Sequence, residues 1–139
     1  MRKSLLLSLL TFLVLWSAGC VVVVKEERRV PTGRAECDFT EEIDAVASLS
    51  FDSQRRDAYL RIAQRDCLSD EAQVHLIDEA LAKLTFEQSM EQVLVALIRS
   101  PSFCCEGRRV ILLRLDHLKF DATRSKILEE LDERGPCPY

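Results

Sequence analysis

The sequence predicts an all-α domain of about six antiparallel helices, arranged as a short helical-repeat array or a compact bundle, behind an N-terminal hydrophobic signal or anchor segment. A phrase of the form Leu-x-Phe-acid recurs at Leu49–Asp52, Leu84–Glu87 and Leu118–Asp121. Its phenylalanines, Phe51, Phe86 and Phe120, stand 35 and 34 residues apart (86 − 51 and 120 − 86), a period typical of helix-turn-helix units that cannot bury their own apolar faces alone. After each phrase the apolar residues fall at matching offsets: Ala58, Tyr59 and Ile62, then Val93, Leu94 and Leu97, then Ile127, Leu128 and Leu131. Steps of three and four put each set on one helical stripe.

The chain opens on Met1-Arg2-Lys3 and runs from Ser4 to Trp16 without a charge, the pattern of a secretory leader over residues 1–19. Ser17-Ala18-Gly19-Cys20 follows, where small side chains suit the narrow cleft of a peptidase and Cys20 supplies a thiol that diacylglycerol can modify. These four residues resemble the lipobox of bacterial lipoproteins, although Ser17 stands where that motif usually has Leu. The resemblance implies cleavage before Cys20, covalent diacylglycerol and a fatty acyl group on it, and a lipid-anchored chain in the cell envelope. Val21 takes the place where an acidic residue would, by analogy with enteric bacteria, hold a lipoprotein at the inner membrane, so the outer membrane is the expected address. Two other readings stay open. The apolar run continues through Val24 and reaches the ~20 residues of a spanning anchor, and ordinary cleavage would release the domain. All three place the domain outside the cytoplasm, because the positive end stays inside.

From Lys25 to Glu36 the sequence turns polar and charged, with Pro31 and Gly33 and no apolar period, so residues 20–36 read as the lipidated N-terminus and a tether. The helical domain follows over 37–134, and 135–139 form a tail. Helices are expected near 39–48, 53–65, 70–82, 87–99, 104–117 and 122–133. The first opens at Asp38 with Glu41 three residues on, as in a capping box. The third opens at Ser69, with Asp70 and Glu71 at the positive end of the dipole, and the fifth at Ser102 after Pro101. The third should bury Val74, Ile77, Leu81 and Leu84. Val110-Ile111-Leu112-Leu113-Arg114-Leu115 is apolar on most sides, so the fifth should be the most enclosed. Phe39, Phe51, Phe86, Phe103 and Phe120, with Leu68, sit beside the helix starts and read as plugs between neighbouring helices, not as an aromatic ligand box.

Phe51-Asp52-Ser53-Gln54-Arg55, Ser69-Asp70-Glu71-Ala72-Gln73 and Phe120-Asp121-Ala122-Thr123-Arg124 resemble the helical family catalogued only as domain of unknown function 4476, over roughly Ala47 to Leu131, with Met90 where the other two phrases have Arg. The resemblance implies a helical domain on secreted or envelope proteins and carries no activity with it. The tetratricopeptide repeat has a similar period, but its Trp, Gly and Tyr positions are absent here.

Of the six cysteines, Cys37, Cys67, Cys104, Cys105 and Cys137 remain after Cys20, and no Cys-x-x-Cys supports a zinc ribbon or a thioredoxin-like site. Each lies in a turn that alternating helices would bring to one end of the domain, opposite the Phe phrases. A rim of cysteines is therefore expected, in which pairs such as Cys37 with Cys67, or Cys105 with Cys137, close in an oxidising envelope and an odd thiol is left over. Cys104 and Cys105 near a helix start are the candidates for a lowered pKa and redox chemistry.

His75 falls opposite the stripe of its helix and is expected in solvent. His117 lies in the turn before the last helix, away from the cysteines, so no shared metal site is expected. Glu41-Glu42, Asp78-Glu79 and Glu129-Glu130-Leu131-Asp132-Glu133 read as solvated faces, since acid–base catalysis needs two carboxyls held in a dry pocket. No strained serine elbow or glycine-rich phosphate loop appears. The 23 acidic side chains outnumber the 19 basic ones, which excludes a phosphate-neutralising nucleic-acid binder. The expectation is a lipid-anchored envelope module that binds or scaffolds another protein, with no cofactor and no enzymatic activity. The alternative is an envelope thiol-redox or other enzyme using Cys104 or Cys105.

Overall fold

Two kinds of helix start alternate along most of the chain, an uncapped phenylalanine followed by an acid and a side-chain cap from Ser69 or Cys104. The computed structural model describes residues 37–137 as α1 (Thr40–Ala47), α2 (Asp52–Ala63), α3 (Asp70–Lys83), α4 (Glu87–Arg99), α5 (Cys105–Leu113) and α6 (Asp121–Arg134), with a 3-10 turn at Leu115–His117. The described residues hold no strand, only an isolated bridge between Cys37 and Leu68. The expected leader over 1–19, the expected lipidation at Cys20, the expected tether and the end of the tail lie outside the described residues.

The three Phe phrases open their helices alike. Phe51, Phe86 and Phe120 are N-cap residues with extended backbones (φ/ψ −106/133, −96/127 and −92/128) and no side-chain cap. Their carbonyls accept the first helical bonds from Arg55, Met90 and Arg124, each at 3.1 Å. Asp52, Glu87 and Asp121 follow at the first helical position, where a carboxylate meets the positive end of the dipole. The partner helices use side-chain caps instead. Ser69 Oγ accepts the Ala72 N–H at 3.1 Å and Cys104 Sγ accepts the Gly107 N–H at 3.2 Å.

Short turns reverse the chain, and each helix packs mainly on its second neighbour: α1 on α3, α3 on α5, α2 on α4 and α4 on α6. The odd helices thus form one layer and the even helices another, a short stack in which successive units cover one another. The core lies between the layers, with Ile43, Leu76, Ile77 and Ile111 from the odd side and Tyr59, Ile62, Val93, Leu94, Leu97, Ile127 and Leu131 from the even side. Burying each of these large side chains contributes roughly 1.5–3 kcal/mol. Glycine at 107 leaves room for the Phe103 ring at the start of α5, because a Cβ there would meet Phe103 Cε2 at 3.0 Å. Gly135, at φ +83, ends α6 in a conformation other residues avoid.

Several expectations are corrected. The fifth helix is not the most enclosed: α5 buries only Gly107 and Ile111, while Leu112 is 43% and Leu113 68% exposed. Among the described residues it is the last member of the odd layer, with a stacking neighbour on one side alone, and it breaks at Arg114 into the 3-10 turn. It starts at Cys104, not Ser102. Phe51, Phe86 and Phe120 are not plugs but are exposed, because an extended N-cap residue points off the end of its helix; Phe39 and Phe103 do pack against the core. Leu76 takes the buried place expected of Val74, which is half-buried. Asp38 caps no helix interior: its Oδ1 accepts from Thr40 N at 2.9 Å and Thr40 Oγ1 at 2.5 Å, and Phe39 is the N-cap.

Candidate functional site

The two ends of the helices carry different chemistry. At the Phe end, each repeat is hydrogen-bonded to the next by the acid that follows its phenylalanine. Asp52 Oδ1 accepts the Thr85 N–H at 2.5 Å, and Oδ2 accepts from Ser89 Oγ at 2.9 Å. Glu87 repeats the device one unit on, accepting the N–H groups of Lys119 and of Phe120, the latter at 3.0 Å. Arg55 adds a second link, donating to Leu49 O in its own phrase and to Lys83 O at 2.7 Å, one residue before the next. The carboxylates therefore fix consecutive phrases in register, which aligns the three phenylalanines along one edge. Phe51, Phe86 and Phe120 are 66%, 64% and 66% exposed there.

The opposite end is the cysteine rim. Cys37 and Cys67 stand at disulfide distance with Cα atoms 5.3 Å apart, and Cys105 and Cys137 do so at 5.6 Å. These are the two pairings expected. Cys37 N–H donates to Cys67 O at 2.7 Å, so backbone pairing brings the loop in close enough for the first pair. Gln73, fully buried on α3, ties this end together: Nε2 donates to Leu68 O and Ser102 O, and Oε1 accepts the Cys104 N–H at 2.9 Å. Cys104 is the free thiol among the described residues. Burial pushes its pKa up, against the lowering by the Gly107 N–H, so it lacks the thiolate character expected of a redox cysteine. A hollow at this rim is lined by Phe103, Cys104, Cys105, Arg108, Arg134 and Cys137. Both arginines are committed to structure, Arg108 to Leu131 O and Gly135 O, Arg134 to Ile98 O and Pro101 O.

His75 is not free in solvent: it is half-buried, and Nε2 lies 2.7 Å from Asp44 Oδ1 on α1. His117 is exposed in the 3-10 turn at the Phe end, far in the helical order from the cysteines. Among the described residues no group of three His, Cys, Asp or Glu side chains is placed to hold a metal ion. Most acids do lie on solvated faces or in surface pairs, such as Glu42 with Arg65 and Asp78 with Arg114. Glu130 is the exception. It is 3% exposed and bonded to Arg99 at 2.7 and 2.5 Å and to Lys126 at 3.0 Å, an inter-repeat link from α4 to α6. These bonds from Arg99 and Lys126 hold its carboxyl below the usual range. Its place within an acidic run hid it, although Lys126 four residues earlier was a signal.

Comparison with protein families, with curated proteins and with solved structures finds no match to the chain.

Proposed function

We propose that the chain is a lipid-anchored protein of the cell envelope, with the outer membrane favoured over the inner, whose helical domain binds or scaffolds another protein. The observation that carries this reading is the edge of three phenylalanines, each about two-thirds exposed and set at equivalent helix starts on stacked helices. Exposed aromatics in register leave apolar area that a partner can bury, at roughly 1.5–3 kcal/mol for each fully covered side chain, and aromatic side chains are enriched where proteins meet. The leader and the lipobox-like Ser17–Cys20 support anchoring through acylated Cys20. Two cysteine pairs at disulfide distance fit an oxidising compartment. Among the described residues no helix is long and apolar enough to cross a membrane.

The test uses the full chain, tagged, as bait in solubilised membranes, with each captured protein then purified and titrated against it. Wild type should bind at least one purified partner, and the variant Phe51→Ser/Phe86→Ser/Phe120→Ser should bind it about 100-fold more weakly with unchanged helicity. Binding that survives the triple change ends the reading. Anchoring has its own check: Cys20→Ala should lose its fatty-acid label and leave the detergent phase.

A further inference from the structure

The stack ends unlike it begins. On α2 and α4, each followed by a further helix of the layer, the residues four, eight and twelve places after the phenylalanine are covered: Arg55 half-buried, Tyr59 and Ala63 buried, then Met90, Leu94 and Ile98 buried. The middle residues Tyr59 and Leu94 are fully buried there. The same places on α6 are Arg124, Leu128 and Asp132, with no further helix among the described residues to receive them, and Leu128 is 41% exposed. The odd layer repeats the pattern. Aligning the N-caps Ser69 and Cys104 sets Ile77, fully buried against α5, equivalent to Leu112, which is 43% exposed. Repeat stacks ordinarily close with a polar outer face. The α1–α2 end obeys this, with exposed Glu41 on α1 and exposed Gln54 and Arg61 on α2, where the later repeats bury Ser89 or Thr123 and Glu130. The α5–α6 end does not.

We infer that the outer face of α6, Arg124–Leu128–Asp132, is the interface of a two-fold dimer in which a second copy of this chain lies antiparallel across it. The charge pattern selects the occupant. Spaced by four, the three residues form one row, and a row reading cation, leucine, anion is complementary to itself when reversed. With Leu128 on Leu128, Arg124 of each copy opposes Asp132 of the other, twice. Asp132 has no side-chain partner among the described residues, whereas Arg124 reaches only Asp121, which is 94% exposed, and Lys119 O at 3.4 Å. The exposed leucines of α5 enter the same interface. A head-to-tail arrangement would instead lay these leucines on the polar α1–α2 end, and it would not close.

The test is made on the full chain, purified in detergent from ¹⁴N- and ¹⁵N-grown cells, the two preparations unfolded together in urea and refolded so that subunits mix, with a photoreactive phenylalanine replacing Leu128. Irradiation should give mixed-isotope dimers whose crosslinked peptides join position 128 to the 121–134 segment of the other chain. Asp132→Arg, a change on the surface, should lower the yield about tenfold by opposing Arg124 to arginine, and Arg124→Asp/Asp132→Arg should restore it. Absence of mixed-isotope species, crosslinks to the α1–α2 end, or a double variant as weak as Asp132→Arg would each overturn the proposal. The Phe51/Phe86/Phe120 triple variant should dimerise like wild type, so failure of the aromatic edge and failure of this interface read out separately.

Discussion

Asp52 of one repeat accepts a 2.9 Å hydrogen bond from Ser89 of the next, and its other oxygen holds the Thr85 N–H at 2.5 Å. Ser89 is 5% exposed, so its hydroxyl has little access to water when the carboxylate is gone. Asp52→Ala should therefore cost about 1–2 kcal/mol in urea unfolding. The equivalent change at the end of the stack, Asp121→Ala, should cost less than about 0.5 kcal/mol, since Asp121 is 94% exposed and joins only Arg124 of its own helix. Equal losses at the two sites would show that the carboxylate acts by helix capping alone and not by linking repeats.

That contrast marks what the sequence could and could not reveal. The Phe phrases located α2, α4 and α6 within a residue of their starts, because an extended N-cap followed by an acid is a local signal. The cysteine rim was legible from the order of turns alone. The direction of the phenylalanines was not, since hydrophobicity says that a side chain would gain by burial, not that an N-cap position can deliver it. Leu112 and Leu113 misled for a related reason: pattern identifies a face that repeats, but only the count of units decides which copy is last. Glu130 was hidden because its partner Arg99 comes from another helix, 31 residues away.

The two cysteine pairs close loops of 30 and 32 residues. Cross-links of that span restrict the unfolded chain by roughly 3–4 kcal/mol each. Cys37→Ala/Cys67→Ala should lose about that much against wild type, as should Cys105→Ala/Cys137→Ala, and each variant should lose less on adding reductant than wild type does. A chain whose unfolding midpoint is indifferent to reductant would show that neither bond forms.

Glu130 sets an acid dependence. Hydrogen bonds from Arg99 and Lys126 depress its pKa in the folded chain, so its contribution is present above the unfolded carboxylate value of about 4.3 and is lost as pH falls through the lower folded value. Glu130→Gln keeps the volume and removes the titration. Urea midpoints measured from pH 7 to 3 should fall less steeply in the variant than in wild type, with the two curves converging at the acid end. Parallel curves would place the acid sensitivity elsewhere.

Tyr59 is fully buried, and its hydroxyl lacks a hydrogen-bond partner within the described structure. Burial, aided by Glu79 and opposed by Arg55, pushes its pKa up to about 12. Removing an unsatisfied buried hydroxyl relieves a desolvation cost of about 1 kcal/mol, so Tyr59→Phe should be neutral to stabilising near pH 7, the reverse of most core changes. The sign changes nothing about packing, because the ring still fills the face of α2 turned toward α4. At high pH the difference should widen. The unfolded tyrosine ionises near pH 10 while the folded one stays neutral until about 12, so wild type loses stability across that interval and the phenylalanine variant is spared this part of the loss. Chemical denaturation of both chains at pH 7, 10 and 11 checks the prediction. A Tyr59→Phe variant destabilised by more than about 1 kcal/mol at pH 7 would mean that the hydroxyl has an acceptor after all.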